Sequence, residues 1–183
     1  MRPREQRKLG ADELFQYAVK SLAARAQSAG ELRAKLARRA AVEPDIEAVV
    51  TRLKEYGYLN EARFAENFVT ARRDTDGLGR IRVLRDLQKR RVAPKLAEQA
   101  VHQAYQNMSE TELIERYLRR KFRNQDRETL FQSDKDLAAA YSRLRRAGFA
   151  SGPSVTVLKR FAKNPDLLDA IEDAAGEEQE EGT

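Results

Sequence analysis

The sequence predicts an all-α fold built as three tandem three-helix repeats, each helix-turn-helix-like, that together form an elongated curved body. Three observations predict it. Between Asp12 and Lys163 nothing alternates with period two over a strand's length, while apolar residues recur three and four apart almost throughout. Helix starts and stops punctuate that rhythm at short intervals. A pattern of leucine, proline and aliphatic residue then returns three times along the chain.

The first repeat sets the template. Leu14, Ala18 and Leu22 mark the buried stripe of a helix over 12–25, Leu32 and Leu36 that of a second, and Ile46, Val49, Val50 and Leu53 that of a third. Ser28 and Glu31 stand at capping-box spacing, so each side chain can satisfy a backbone N–H that the helix start leaves open. Pro44 suits a first turn, where its missing N–H has no partner to lose, and Gly57 can enter the left-handed region that ends a helix. Asn60 caps a helix over 61–73, and Ser109 with Glu112 caps one over 110–122. Ser133 with Asp136 caps the second helix of the third repeat.

Aligning the second helices puts Leu36, Leu87 and Leu144 in register. Four residues later stand Ala40, Arg91 and Gly148, followed by an apolar residue at Val42, Val92 and Phe149. Pro44, Pro94 and Pro153 come next, and two residues beyond each sits Ile46, Leu96 or Val155. The expected boundaries are 1–10 for a flexible N-terminus, 11–59, 60–107 and 108–163 for the repeats, and 164–183 for a largely disordered acidic tail. Residues 123–132 would make a longer connection inside the third repeat, and 165–174 a last amphipathic turn or two. Repeats of about 50 residues bury too little surface to stand alone, so neighbours share a core and offer a long surface rather than a deep pocket.

Composition narrows the chemistry. With no cysteine there is no disulfide framework or thiolate metal site, and the lone His102 cannot build a histidine cluster. The DGLGR string around Gly77 and Gly79 lacks the further glycines and the lysine of a phosphate loop. His102 falls within the apolar rhythm of Leu96, Ala100, Val101 and Ala104, which suits a surface or partly packed side chain better than a catalytic base. Acidic pairs such as Glu66 with Asp74, or Asp45 with Glu47, read as solvated helix charges. We therefore expect a binding protein with no enzymatic activity, no cofactor and no metal. The longest unbroken apolar run is Leu137 to Tyr141, and no apolar core follows the basic N-terminus, so the expected location is cytoplasmic, with no membrane partner.

Charge is unevenly spread. Residues 164–183 hold eight acids and no Lys or Arg, which leaves all 35 basic residues of the chain against 21 acids in the remainder. Such a body suits a polyanion or an acidic protein surface, although the same charge could simply solvate exposed helices. The second helix of each repeat is basic. In the middle repeat Arg82, Arg85 and Lys89 fall within a sector of about 60° opposite Val83, Leu84 and Leu87. Tyr56, Tyr58, Phe64 and Phe68 have the spacing of core aromatics more than of stacking platforms.

The string GYLNEARFAENFVTAR at 57–72, followed by Gly79, Arg82 and Leu87, resembles the RecX family, regulators of the bacterial recombinase RecA. RRAGF at 145–149 extends the resemblance over nearly the whole repeat region. Two features depart from the family pattern: Asn60 replaces its usual aspartate, and Ala40 and Arg91 replace the glycine that commonly closes the second helix. The resemblance implies a monomer that lies in the groove of the RecA–DNA filament, limits filament growth and lowers ATP hydrolysis and strand exchange. Such a protein regulates DNA repair and recombination in the SOS response. It would touch the DNA phosphate backbone weakly and without sequence preference. The candidate contacts to RecA or DNA are Arg33, Lys35, Arg38 and Arg39, then Arg72 and Arg73, then Arg82, Arg85, Lys89 and Arg90, then Arg145 and Arg146. Two competing readings are a direct DNA-binding helix-turn-helix regulator and a plain helical adaptor for an acidic protein.

Overall fold

The computed structural model describes residues 7–123, 131 and 133–169. Every named element among them is a helix. The first three are α1 (Ala11–Ala24), α2 (Ala29–Ala37) and α3 (Pro44–Glu55). The next are α4 (Glu61–Asp74), α5 (Arg80–Lys89) and α6 (Pro94–Tyr105), then α7 (Glu110–Lys121), α8 (Asp134–Ala147) and α9 (Ser151–Lys159). They fall into three sets of three, as the periodicity predicts. By compactness the chain divides into two units, Met1–Val69 with Asp86–Gln103, and Thr70–Arg85 with Ala104–Thr183. The division passes through α4, α5 and α6.

In the first unit α1 and α2 pack on α3, and the stripes of the sequence close over one another. Leu14, Ala18, Leu32, Leu36 and Leu53 are fully withdrawn from water. Each large side chain so buried contributes roughly 1.5–3 kcal/mol, which lets short helices persist that would fray in isolation. The start of α2 is fixed by a complete capping box: Glu31 N donates to Ser28 Oγ at 3.0 Å, and Ser28 N to Glu31 Oε2 at 3.1 Å. Asn60 Oδ1 likewise receives Arg63 N at 2.9 Å, so asparagine caps α4 without the aspartate.

In the second unit α7 and α8 pack on α9. Ile114, Leu144, Phe149, Val157, Leu158 and Leu168 are fully buried there. Ser133 Oγ accepts from Asp136 N at 3.1 Å, whereas the Ser109 cap of α7 is longer, 3.5 Å from Glu112 N. Glu110 Oε1 accepts from Ala150 N at 2.8 Å and so satisfies one backbone donor at the entry to α9.

One closure recurs. After α3, α5 and α8 the residue that follows the last turn is left-handed: Gly57 at φ +72°, Arg91 at +58° and Gly148 at +92°. In each case the next N–H returns to the carbonyl five residues back, Tyr58 to Leu53 at 2.9 Å, Val92 to Leu87 at 3.2 Å and Phe149 to Leu144 at 3.2 Å. These are Schellman closures, which fold the chain back over the last turn. Val92 and Phe149 are buried in consequence.

The register Leu36, Leu87, Leu144 holds, since all three are fully buried. The expected equivalence of Val42 with Val92 and Phe149 fails: Val42 is 54% exposed. No left-handed residue follows α2; Ala40 N instead continues to Leu36 O at 2.8 Å, so the chain does not turn Val42 back over Leu36. Leu9 packs there, forming an isolated bridge with Ala40 through Leu9 N to Arg39 O at 2.8 Å and Ala41 N to Leu9 O at 2.9 Å. The assignment of Tyr56 and Tyr58 to the core is also corrected, as they are 61% and 55% exposed. They make an edge-to-face cluster with buried Phe15 but leave most of their surface in water.

Of the expected flexible start only 7–10 are described, and of the acidic tail only 164–169. Leu168 in that stretch is fully buried, and Asp169 pairs with Lys159. The rest of both segments, and 124–130 with 132 of the expected long connection, lie outside the described residues.

Candidate functional site

The basic residues singled out by sequence divide into those that hold the fold and those left to solvent. In the first unit Arg33 makes a two-pronged contact with Glu47, Nε to Oε1 at 2.7 Å and Nη2 to Oε2 at 3.2 Å. That hydrogen bond raises the Arg33 pKa and holds the Glu47 carboxyl below its ordinary range. Lys35 donates to Ser21 Oγ at 2.5 Å, and Lys35 and Arg39 lie 5.5 and 5.2 Å from the centre of the Tyr17 ring. Arg38 is exposed. Arg90 is half-buried: its Nε sits 2.8 Å from Glu31 Oε1, at an angle short of hydrogen-bond geometry, while its Nη2 donates to Ala26 O at 3.2 Å. Ser28 Oγ donates to Arg90 O, so the cap of α2 also grips the end of α5.

In the second unit Arg72 pairs with Asp76 at 2.7 Å. Arg73 pairs with Asp74 at 2.7 Å and donates to Ala104 O at 2.6 Å, and its hydrogen bond lowers the Asp74 pKa. Arg82 donates to Arg146 O at 3.4 Å, and Arg145 to Phe149 O at 2.8 Å. Arg85 and Arg146, with Lys89 of the first unit, join Arg38 as exposed cations that make no ion pair with another described residue. Sequence reasoning passed over Arg120, which donates to Thr75 O at 2.5 Å and also to Asp76 O, clamping the turn between α4 and α5.

Two separate strings of the sequence meet at that turn. Gly79 N donates to Ala147 O at 2.8 Å and Ile81 N to Gly148 O at 3.2 Å. The approach leaves no room for side chains: a Cβ on Gly79 would stand 2.3 Å from Gly148 O, and one on Gly148 2.3 Å from Arg82 N. The glycines at 79 and 148, far apart in sequence, are thus one packing feature that brings Arg82 to Arg146.

The first unit also contains a cleft of about 560 Å³, where the sequence predicted no deep pocket. Its walls come from the end of α1, the turn at 57–60, one face of α4 and Arg90. Phe64 and Phe68 stack there, with centroids 6.1 Å apart and planes 27° from parallel, and the Arg90 guanidinium lies 5.3 and 5.7 Å from the two rings. The i, i+4 spacing of the phenylalanines was visible in sequence; the arginine opposite them was not.

Residues 60–101 match the family model described as RecX, second three-helix domain, and 15–53 match RecX, first three-helix domain. A regulatory protein RecX from Amycolatopsis mediterranei is 30% identical over 155 residues, covering 81% of this chain and 85% of that protein. Another from Deinococcus radiodurans is 31% identical over 152 residues, covering 83% of this chain and 70% of its own. The chain belongs to the RecX family. The crystal structure of RecX from Lactobacillus salivarius shares the fold, with a TM-score of 0.68 at 19% identity over 82% of this chain and 96% of that one. Placed on this RecX-family chain, the three-helix domains of the family models fall on α1–α3 and α4–α6. The third set, α7–α9, repeats their buried leucine at Leu144.

Among the described residues no group of three or more His, Cys, Asp or Glu could hold a metal ion. No helix among them is long and apolar enough to cross a membrane. His102 is exposed on α6.

Proposed function

We propose that this RecX-family chain is a negative modulator of the RecA recombinase, a cytoplasmic protein that binds in the groove of the RecA–DNA filament, limits its growth and lowers ATP hydrolysis and strand exchange. Membership in a family of regulatory proteins carries the reading. The distribution of charge supports it, because exposed cations occur in both compact units. A ligand that presents phosphates and protein subunits at regular intervals rewards several weak contacts made by one chain. Arg38, Arg85, Lys89 and Arg146 are the first choice for those contacts, with Lys35, Arg39 and Arg82 beside them. Arg33, Arg73 and Arg145 are already engaged by carboxylates or carbonyls, so their first role is in the fold.

The test measures RecA ATPase and strand exchange with substoichiometric amounts of the chain, beside its own DNA binding over a salt series. Inhibition well below the amount that coats the DNA is the expected result. Inhibition only at coating amounts would remove the filament mechanism. Tight, sequence-selective DNA binding with RecA unaffected would instead make the chain a direct DNA-binding regulator.

A further inference from the structure

We infer that the cleft of the first unit is a pocket for one unstacked base of single-stranded nucleic acid. At about 560 Å³ it lies within the roughly 300–1,000 Å³ usual for small-ligand sites and exceeds what one protein side chain fills. Three aromatic side chains border it. Tyr58 is 55% exposed, and Phe64 and Phe68 are only half-buried although they sit on a helix whose Ala65 and Val69 are fully buried. Aromatic side chains left partly exposed beside the core offer ring surface on which a base can stack.

The polar residues of the walls specify the sign of the ligand. Arg63 and Arg90 line the cleft, Asn60 and Asn67 supply amides, and no carboxylate is among the lining residues. Glu31 stands behind Arg90, holding its guanidinium against both phenylalanines, so the cation is part of the stacking platform before any ligand arrives. Arg63 is exposed and makes no ion pair with another described residue, which suits a phosphate at the mouth. A duplex keeps its base faces stacked inside and offers only phosphates and groove edges; a single strand can offer a base face and a phosphate together. The pocket therefore deepens the proposed function by naming the form of nucleic acid met, but its chemistry does not need RecA.

The experiment compares binding of a short oligothymidylate, an abasic deoxyribose-phosphate chain of the same length and a duplex, by fluorescence anisotropy at fixed salt. The parent protein should prefer the oligothymidylate over the abasic chain by about tenfold or more, the loss expected for one stacked base. Phe64→Leu keeps apolar volume and removes the ring, and should abolish that preference while duplex binding and unfolding temperature stay close to the parent's. Tyr58→Ala, at a position 55% exposed, should also lower the preference, and its unfolding temperature separates that loss from the loss of its edge contact with Phe15. Equal binding of base-bearing and abasic chains by the parent would overturn the pocket, leaving cations alone. So would a preference that both variants retain, or variants that lose RecA inhibition with the base preference intact, the mark of a pocket for a protein side chain. If the parent shows the base preference but does not inhibit RecA, the pocket stands and the proposed function falls. Inhibition without base preference gives the reverse.

Discussion

Arg91 occupies a backbone region that costs a residue with a side chain roughly 1–2 kcal/mol, yet it closes α5 with the same two hydrogen bonds that Gly148 makes after α8. Arg91→Gly should therefore stabilise the chain by about 0.5–1 kcal/mol, the strain relieved less the added freedom of the unfolded state. Gly148→Ala should cost about 2–4 kcal/mol, since it adds both the left-handed strain and a Cβ against the Arg82 backbone. Thermal unfolding of the two variants checks both signs. Tyr105 offers a pH test. Its phenol is buried and donates to Leu78 O at 2.7 Å, and burial pushes its pKa above the ordinary 10. Below pH 10 both states keep the proton. Above it the unfolded chain releases a proton that the folded chain retains, so this residue's contribution to stability falls as pH rises. Tyr105→Phe should cost about 1 kcal/mol at neutral pH, with the deficit shrinking above pH 10; a constant deficit would show that burial does not act on this group. The residue scale is where sequence reading was weakest. Tyr56 and Val42 have core-like spacing, and only the packing opposite them leaves them in water.

Helix ends were the most legible elements. Ser28, Asn60, Ser109 and Ser133 all cap as their sequence neighbours predict, because a cap is a contact between residues three apart and needs no tertiary information. Their worth differs with surroundings. Ser28 is fully buried and its hydroxyl also bonds Arg90 O, whereas Ser109 is exposed with a 3.5 Å bond. Ser28→Ala should cost about 2 kcal/mol, near the top of the range for caps, and Ser109→Ala about 0.5 kcal/mol. Chemical denaturation of the two variants would reveal the gap, and equal losses would mean that the bond to Arg90 contributes nothing. Arg120 belongs to the same scale. Its hold on Thr75 O and Asp76 O joins α7 to the turn before α5, a link between residues more than 40 apart that no local pattern announces.

For the molecule as a whole the expected experiments concern charge. Neutralising Arg38, Arg85, Lys89 or Arg146 one at a time should weaken binding to DNA or filament with little change in unfolding temperature. Each that meets a phosphate should lower the salt slope of DNA binding by about one. Arg73→Gln should instead reduce stability first, because it loses the bond to Ala104 O and leaves Asp74 without its partner. The acidic tail invites a truncation after Asp169, beyond Leu168, which is buried and must be kept. If the tail shields the basic body, removal should tighten DNA binding at low salt, and an unchanged affinity would discard that role.

The helical class, the three-fold repetition, the caps and the net charge were determined by the sequence alone, since each follows from residues within a turn or two of one another or from composition. Only the tertiary structure decided which arginines are spent on carboxylates and carbonyls, that Gly79 meets Gly148, and that Phe64, Phe68 and Arg90 share one cleft. The physical reason is separation along the chain. A hydrophobic stripe says that a helix has a buried face, but the identity of what covers it is fixed by the joint packing of all the helices.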